Sequence, residues 1–589
     1  MSRGRGGLKL SRLARWTDGK YTNDDTLHVC IRDDDVPKLQ QLLRASPAPD
    51  INLAHYDSEL GPPLHFAAWC GNLDAVDLLL AAGADASITG FTEWDYTAIA
   101  AAADRGHRDI VKRLWTCCPP ERYLQVGQGQ VCLVVAAQHG HASIVEDMLE
   151  WWNGWPQDVM IMALRVAARE WHFSVVNLLL KRESFEQPTL QDALHDAAGL
   201  KPLPIFQLFA KYEGVDYADQ QLLIALLIDA GADPNSFAYG TTPLILAVAS
   251  NSILTCALKT LLEKGADPNK TDGSGQSALH ILTAPVPTSQ VSDGSQLLNE
   301  TAIHLLLQYK ASVSQPDSAG ECPIHWAAYG FDLRLFHIYL SSQPGTDRDA
   351  LLRLTNNNGE TLLHYAAAGC GIEVIEYLLS QGLDVNATNS NGWTPLMCAL
   401  TPINSNAVEE TIPKTVSEAT RSAYYLLSRG ADPSIVTNEG WTPLHALATN
   451  FDVTGKAEDL AKDLLLRGAD LEARAPLLST VGPYASWGMP WGYRLRDMMA
   501  NPSAWEMAIR HDMTPLHWAA ERGAVGVIKA LLANGVDVSS MDVNGAFPAR
   551  MAVESKIMKT QASAADNIIN LLFLERQGNA GMVESMVEG

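Results

Sequence analysis

A seven-residue phrase returns along most of this chain, and a chain that repeats itself is assembled from copies of one small unit. TPLHWAA (514–520) comes back as PPLHFAA (62–68), SALHILT (277–283), CPIHWAA (322–328), TLLHYAA (361–367) and TPLHALA (442–448). With that register fixed, weaker copies appear: DTLHVCI (25–31), TAIAAAA (97–103), VCLVVAA (131–137), IMALRVAA (161–168), DALHDAA (192–198), TPLILAV (242–248), TPLMCAL (394–400) and FPARMAV (547–553). The residues at the histidine position are His28, His65, Ala100, Val134, Arg165, His195, Ile245, His280, His325, His364, Met397, His445, His517 and Arg550. Most neighbours are 30 to 39 residues apart, and the longer intervals, above all the 72 residues from His445 to His517, carry insertions.

About one helix after each phrase comes a second signature: aliphatic residues, glycine, a small residue, then Asp. Examples are LLLAAGAD (78–85), LLIDAGAD (226–233), LLEKGAD (261–267), LLSQGLD (378–384), LLSRGAD (426–432), LLLRGAD (464–470) and LLANGVD (531–537). Leucines at helical spacing make a core face. A glycine such as Gly382 takes the left-handed conformation that ends the helix, and the Asp turns the chain into a loop. Upstream, Thr-Pro opens the first helix, because proline's missing N–H costs nothing in the first turn. Each unit is therefore two short antiparallel helices and a projecting turn, unable to bury its apolar face alone.

These residues resemble the ankyrin repeat, and NGETLLHYAAAGCGIEVIEYLLSQGLDVNATNSNGWTPL (358–396) matches it over more than one full unit. The resemblance runs over about residues 23 to 575. It implies an all-α solenoid of paired antiparallel helices with β-hairpin or loop fingers, several irregular repeats and insertions, and a concave face that binds other proteins. It also implies that the Thr and His side chains bond locally and to the neighbouring loop, tying units together. The expected organisation is a basic tail (1–22), a repeat array (23–473, degenerate over about 95–230), an aromatic-rich insertion (474–512), further repeats (513–575) and a C-terminal tail (576–589).

Composition narrows the function. With 43 Lys+Arg against 67 Asp+Glu the net charge is −24. Such a surface repels nucleic acid and anionic lipid and favours basic partners. The one basic cluster, Arg3, Arg5, Lys9, Arg12 and Arg15, precedes the first acid at Asp18 and reads as a solvated tail rather than a transit peptide. LLIALLI (222–228) is far too short to span a membrane. The nine cysteines show no CxxC and no zinc spacing, so a reduced intracellular compartment, cytoplasmic or nuclear, is expected.

No catalytic or cofactor signature emerges. Eight histidines occupy one repeated position, whereas a catalytic residue is needed once, in one constellation. VGQGQV (126–131) lacks the third glycine of a dinucleotide loop. Asp33–Asp35 reads as a solvated turn between helices. His139 and His141, in HGH, fall where such units carry a Gly-His turn, and no thiol or acid recurs at metal-ligand spacing. The expectation is no enzyme, no cofactor and no metal.

Partner recognition should be written where units differ. Trp393 and Trp441 precede Thr-Pro at the base of a finger; Trp94 and Tyr96, and Phe237 and Tyr239, hold comparable places. Aromatic side chains dominate binding hot spots, although a tryptophan here can equally pack on the next finger. The insertion 474–512 carries Tyr484, Trp487, Trp491, Tyr493 and Trp505, too aromatic for a linker, and either packs on the array or meets a partner. The reading is a non-enzymatic adaptor or scaffold for other proteins, basic ones among them. The alternative is an accessory subunit that positions or gates a partner enzyme.

Overall fold

The computed structural model describes residues 26–45, 51–52, 61–88, 97–117, 132–199, 218–249, 255–283, 300–330, 332–342, 348–401, 416–450, 452, 454–478, 509–555, 558 and 562–578. The chain divides into two compact units, 1–272 and 273–589, each a succession of helix pairs.

The logic of a pair is plain at 361–384. Thr361 caps the first helix, Leu362–Gly369, in which every residue is buried. Alanines keep this helix slim, and at Gly369 a Cβ would overlap the carbonyl oxygen of Tyr329 on the preceding first helix. The second helix, Ile372–Ser380, is two-faced: Val374, Ile375 and Leu378 are buried while Glu373 and Glu376 face water. Gly382, at φ +83°, ends it. Asn386 then reaches the next pair, donating to the Gly430 carbonyl (3.1 Å) and accepting from the Asp432 amide (2.8 Å).

Fingers in unit 273–589 are tight turns joined edge to edge. Asn389 Oδ1 accepts from the amides of Asn391 (3.0 Å) and Trp393 (2.9 Å), folding the tip with its own side chain. One backbone bond then links each finger to the one before: Ser318 N to Ser274 O (3.1 Å), Asn357 N to Ala319 O (3.1 Å), Ser390 N to Asn358 O (2.7 Å), Asn438 N to Asn391 O (2.9 Å). The approach is so close that a Cβ on Gly392 would lie 2.9 Å from Thr437 Cα.

Two features depart from this pattern. Within 98–198 the pairs are regular although their spelling is not: Ala98–Arg105 with Arg108–Cys117, Cys132–Gln138 with Ala142–Trp151, Gln157–Arg169 with Phe173–Arg182. Here the second helix meets the next first helix through only five residues (152–156) and four (183–186), where 381–394 uses fourteen. That leaves no room for a finger. The other departure is the 72-residue interval. Its ends form strands β1 (Ala475–Leu478) and β2 (Ile509–Met513), paired antiparallel with Ala475 opposite Met513 and Leu478 opposite Ile509. A finger has been lengthened into a ribbon, and the residues between the strands lie outside the described set.

Candidate interaction surface

The repeated histidines are buried, and His280, His364, His445 and His517 are bonded at both ring nitrogens. In Ser277, Cys322, Thr361, Thr442 and Thr514 the backbone N–H donates to Nδ1 of the histidine three residues on, at 2.9–3.2 Å. A nitrogen that accepts carries no proton, so the proton sits on Nε2. That nitrogen points forward to the next finger: His280 to Glu321 O (3.0 Å), His364 to Trp393 O (3.0 Å), His445 to Met513 O (3.1 Å), His517 to Ala546 O (3.2 Å). Burial pushes His325, His364, His445 and His517 down to about 4, so they are neutral at pH 7. In unit 1–272, His28 and His65 reach the carbonyls of Gly61 (3.0 Å) and Ile88 (2.8 Å) in the same way. These side chains are clasps between helix pairs.

A second set of clasps works at the opposite end of the first helix. Nε2 of His107, His141 and His172 faces the carbonyls of Trp69 (3.2 Å), Asp104 (3.2 Å) and Gln138 (3.0 Å) one pair earlier. Each ring lies on a glycine: a Cβ at Gly71, Gly106 or Gly140 would come within 2.5, 2.6 and 2.5 Å of it. The HGH histidines are spent in this way, His141 on the Asp104 carbonyl and His139 beside the Asp104 carboxylate at 2.8 Å. Among the described residues no group of three or more His, Cys, Asp or Glu is placed to hold a metal ion.

Comparison with known proteins agrees with this geometry. A model of three consecutive ankyrin repeats matches residues 64–154 and 331–410, and a model of the single ankyrin repeat matches 239–273, 439–476 and 511–543. The chain belongs to the ankyrin-repeat family. It is similar to human inversin (26% identical over 198 residues, 24% of this chain and 18% of inversin). It is likewise similar to the ANK repeat-containing protein nipk-1 of Caenorhabditis elegans (29% over 150 residues, 25% and 23%). A probable E3 ubiquitin-protein ligase, XBOS33, of Oryza sativa subsp. japonica shares 41% over 98 residues, 16% of this chain and 18% of that protein. The chain spans less than a quarter of the length of each of these relatives. Ankyrin repeats are modules that bind other proteins and are generally non-enzymatic. No described helix is long and apolar enough to cross a membrane.

The aromatic residues singled out from the sequence part into three groups. Trp94, Tyr96, Tyr484, Trp487 and Trp491 lie outside the described residues. Trp393 and Trp441 are 4% and 0% exposed, their rings 5.1 Å apart, and Trp441 stands edge-on to Trp518 at 4.0 Å. In this ankyrin stack these two are therefore internal packing and offer no partner contact; the fingers close over them.

Phe237 and Tyr239 are the opposite case, 58% and 73% exposed. Ala238 and Thr241 exchange both backbone hydrogen bonds at 3.1 Å, with Tyr239 (φ +56°) and Gly240 (φ +79°) between them. Positive φ at both central residues is a type I′ turn, a place for Asn or Gly rather than an aromatic side chain. The Tyr239 hydroxyl lies 3.3 Å from Arg165 and 3.4 Å from Asp192, so the finger leans over the first helices Gln157–Arg169 and Gln187–Ala198. Arg165, where other ankyrin units keep histidine, pairs with Asp196 at 2.8 Å on that same face.

Proposed function

We propose that the protein is a non-enzymatic scaffold that recognises other proteins through its fingers and the helix face beneath them. The observation that carries this reading is Tyr239. An aromatic residue held at positive φ costs about 1 kcal/mol against asparagine or glycine. It stands mostly in water, with exposed Phe237 beside it, and the long hydroxyl contacts to Arg165 and Asp192 offset that cost only in part. Display to a partner accounts for the arrangement. The acidic charge of the chain favours basic partners and disfavours nucleic acid. The ribbon of β1 and β2 supports a further role for 474–512 as a lengthened finger, with Tyr484, Trp487 and Trp491 as its candidate contacts. The eight cysteines of the described residues are all free thiols, in keeping with work in a reducing compartment.

Tyr239→Asn tests the reading, because asparagine suits the turn. The variant is expected to be as stable as the wild type or about 1 kcal/mol more stable in urea unfolding. In quantitative affinity capture from native lysate it should lose partners that the intact chain retains. A second chain, with 476–508 replaced by a short Gly/Ser linker, asks the same of the ribbon. If both variants keep the full partner set, recognition does not run through the fingers.

A further inference from the structure

The missing fingers of 142–186 leave a hole in the side of the stack, lined with tryptophan. Where the connections shrink to 152–156 and 183–186, the C-terminal ends of helices Ala142–Trp151 and Phe173–Arg182 are left uncovered. A cavity of about 220 Å³ opens between them. Leu149, Trp152, Trp155, Met160 and Phe185 line it, together with the charged pair Arg182 and Glu183. The two indoles meet edge to face at 4.9 Å and 66°. Trp155 is fixed by a bond from Nε1 to the Met148 carbonyl (3.2 Å) and backed by Trp115 at 6.0 Å. Gly154 lets the Trp152 ring fold back, since a Cβ there would lie 2.7 Å from it. These rings are only half-buried, so the walls stand built and one side is open.

Size and charge say what such a cup accepts. It is smaller than the pockets that hold drug-sized ligands, and a single long side chain fills it. Indole faces attract cations. The C-terminal end of Phe173–Arg182 adds partial negative charge at the same place, while the end of Ala142–Trp151 is taken by Trp155 and Arg182. Over 142–158 and 181–186 six carboxylates stand against two cations, Lys181 and Arg182, and one of the six, Asp147, is held by Arg108 at 2.6 Å. Of those two, Arg182 is turned onto the Leu149 carbonyl at 3.1 Å. We propose that this cup takes the cationic side chain of a basic, extended segment in a partner protein. The proposal rests on the scaffold reading and names the chemistry of one contact within it.

The test uses the full chain and a fluorescein-labelled peptide of alternating glycine and arginine, read by fluorescence anisotropy. Its counterpart carries citrulline, which keeps the shape and loses the charge. The arginine peptide should saturate the protein, and the citrulline peptide should bind about tenfold more weakly. Glu183→Lys, an exposed change that leaves the packing intact, should weaken binding about tenfold as well. Glu373→Lys, the same charge reversal outside the cup, should leave it within about twofold. Trp152→Leu should weaken the arginine peptide more than the citrulline one. Equal binding of the two peptides, or equal effects of the two charge reversals, overturns the proposal. If Glu183→Lys leaves the captured partners of the intact chain unchanged, the cup fails and the scaffold reading stands. A chain that captures no partner at all sinks the scaffold reading itself.

Discussion

Residues 98–199 and residues 314–450 solve the same packing problem with different fastenings. Both stack helix pairs; the first helices are nearly all buried in 314–450, whereas in 98–199 Gln157–Arg169 and Gln187–Ala198 bury one face only. In 314–450 the joints lie at the N-terminal end of the first helix: a capped histidine reaches forward to the next finger, and the fingers are bonded to one another. In 98–199 fingers are absent from two successive connections, and the joint moves to the other end of the helix, where His107, His141 and His172 each sit on a glycine of the previous pair. The stack demands that each pair be held to the next, and it accepts either place. Losing the fingers therefore does not loosen the region; it uncovers its side.

The forward clasps should respond to acid, and this should be the largest effect; burial lowers His141 of the second set in the same direction. An unfolded histidine titrates near 6.5, whereas His325, His364, His445 and His517 are held at about 4. Below pH 6.5 the unfolded chain takes up protons that the folded one refuses, so stability present at pH 7 is lost as pH falls toward 4. Glu321 works against this: burial pushes it up to about 7 from 4.5, so its protonation favours the folded state between those values. Within 314–450 three of these histidines, His325, His364 and His445, outweigh the one carboxyl group. Hydrogen exchange at pH 7 and pH 5 should show protection lost first over 314–450. Equal loss over 98–199 would mean that both sets of clasps titrate alike.

Trp441→Ala should come next, costing about 3–5 kcal/mol, since it empties the space between Trp393 and Trp518. Urea unfolding followed by circular dichroism measures it. A cost under about 1 kcal/mol would show that the fingers, not the tryptophans, carry the stack there.

A matched pair of glycine substitutions isolates the second fastening. Gly382→Ala meets open space and pays only for positive φ, about 1 kcal/mol. Gly140→Ala pays that and must also displace His172, for a total of about 2–3 kcal/mol. Identical losses in the two would remove the clasp from the account.

The smallest effect belongs to Asn386→Ala, which deletes the bridge to Gly430 and Asp432 on an exposed loop. A loss of about 0.5–1 kcal/mol is expected, with faster exchange at the Asp432 amide as its local sign.

Repetition made the helix pairs and the forward histidine clasps legible in the sequence, because a residue spelled in eight copies must do something every unit needs. The Gly-His clasps were only half legible. RGH and HGH mark a turn and contain Gly106 and Gly140, yet the ring that rests on each of these glycines comes one whole pair later, so the pairing is not local in sequence. Trp393 and Trp441 could not be sorted from Phe237 and Tyr239 by type, since all stand beside a finger. What separates them is the neighbour across the stack: Trp518, buried in the next inner helix, closes over Trp441, while the finger of Tyr239 ends in water. The tryptophan cup was invisible for a related reason, being made by connections too short to cover it.

The bonded fingers also dictate where this chain can change length. Each finger is joined to its neighbour by one backbone bond at a fixed place in the turn, so one amino acid added within a finger displaces that bond on both sides. Between the first and second helix the Gly-His turns of 98–182 are matched as well, whereas three added stretches, 200–217, 284–299 and 402–415, fall at that position in other pairs. The lengthened finger escapes the rule by growing beyond its paired strands, with β1 and β2 keeping the register at its base. Insertions and duplications in such a chain are therefore filtered by position: free between helices that carry no Gly-His clasp, permitted at the end of a ribbon, and forbidden along the bonded edge.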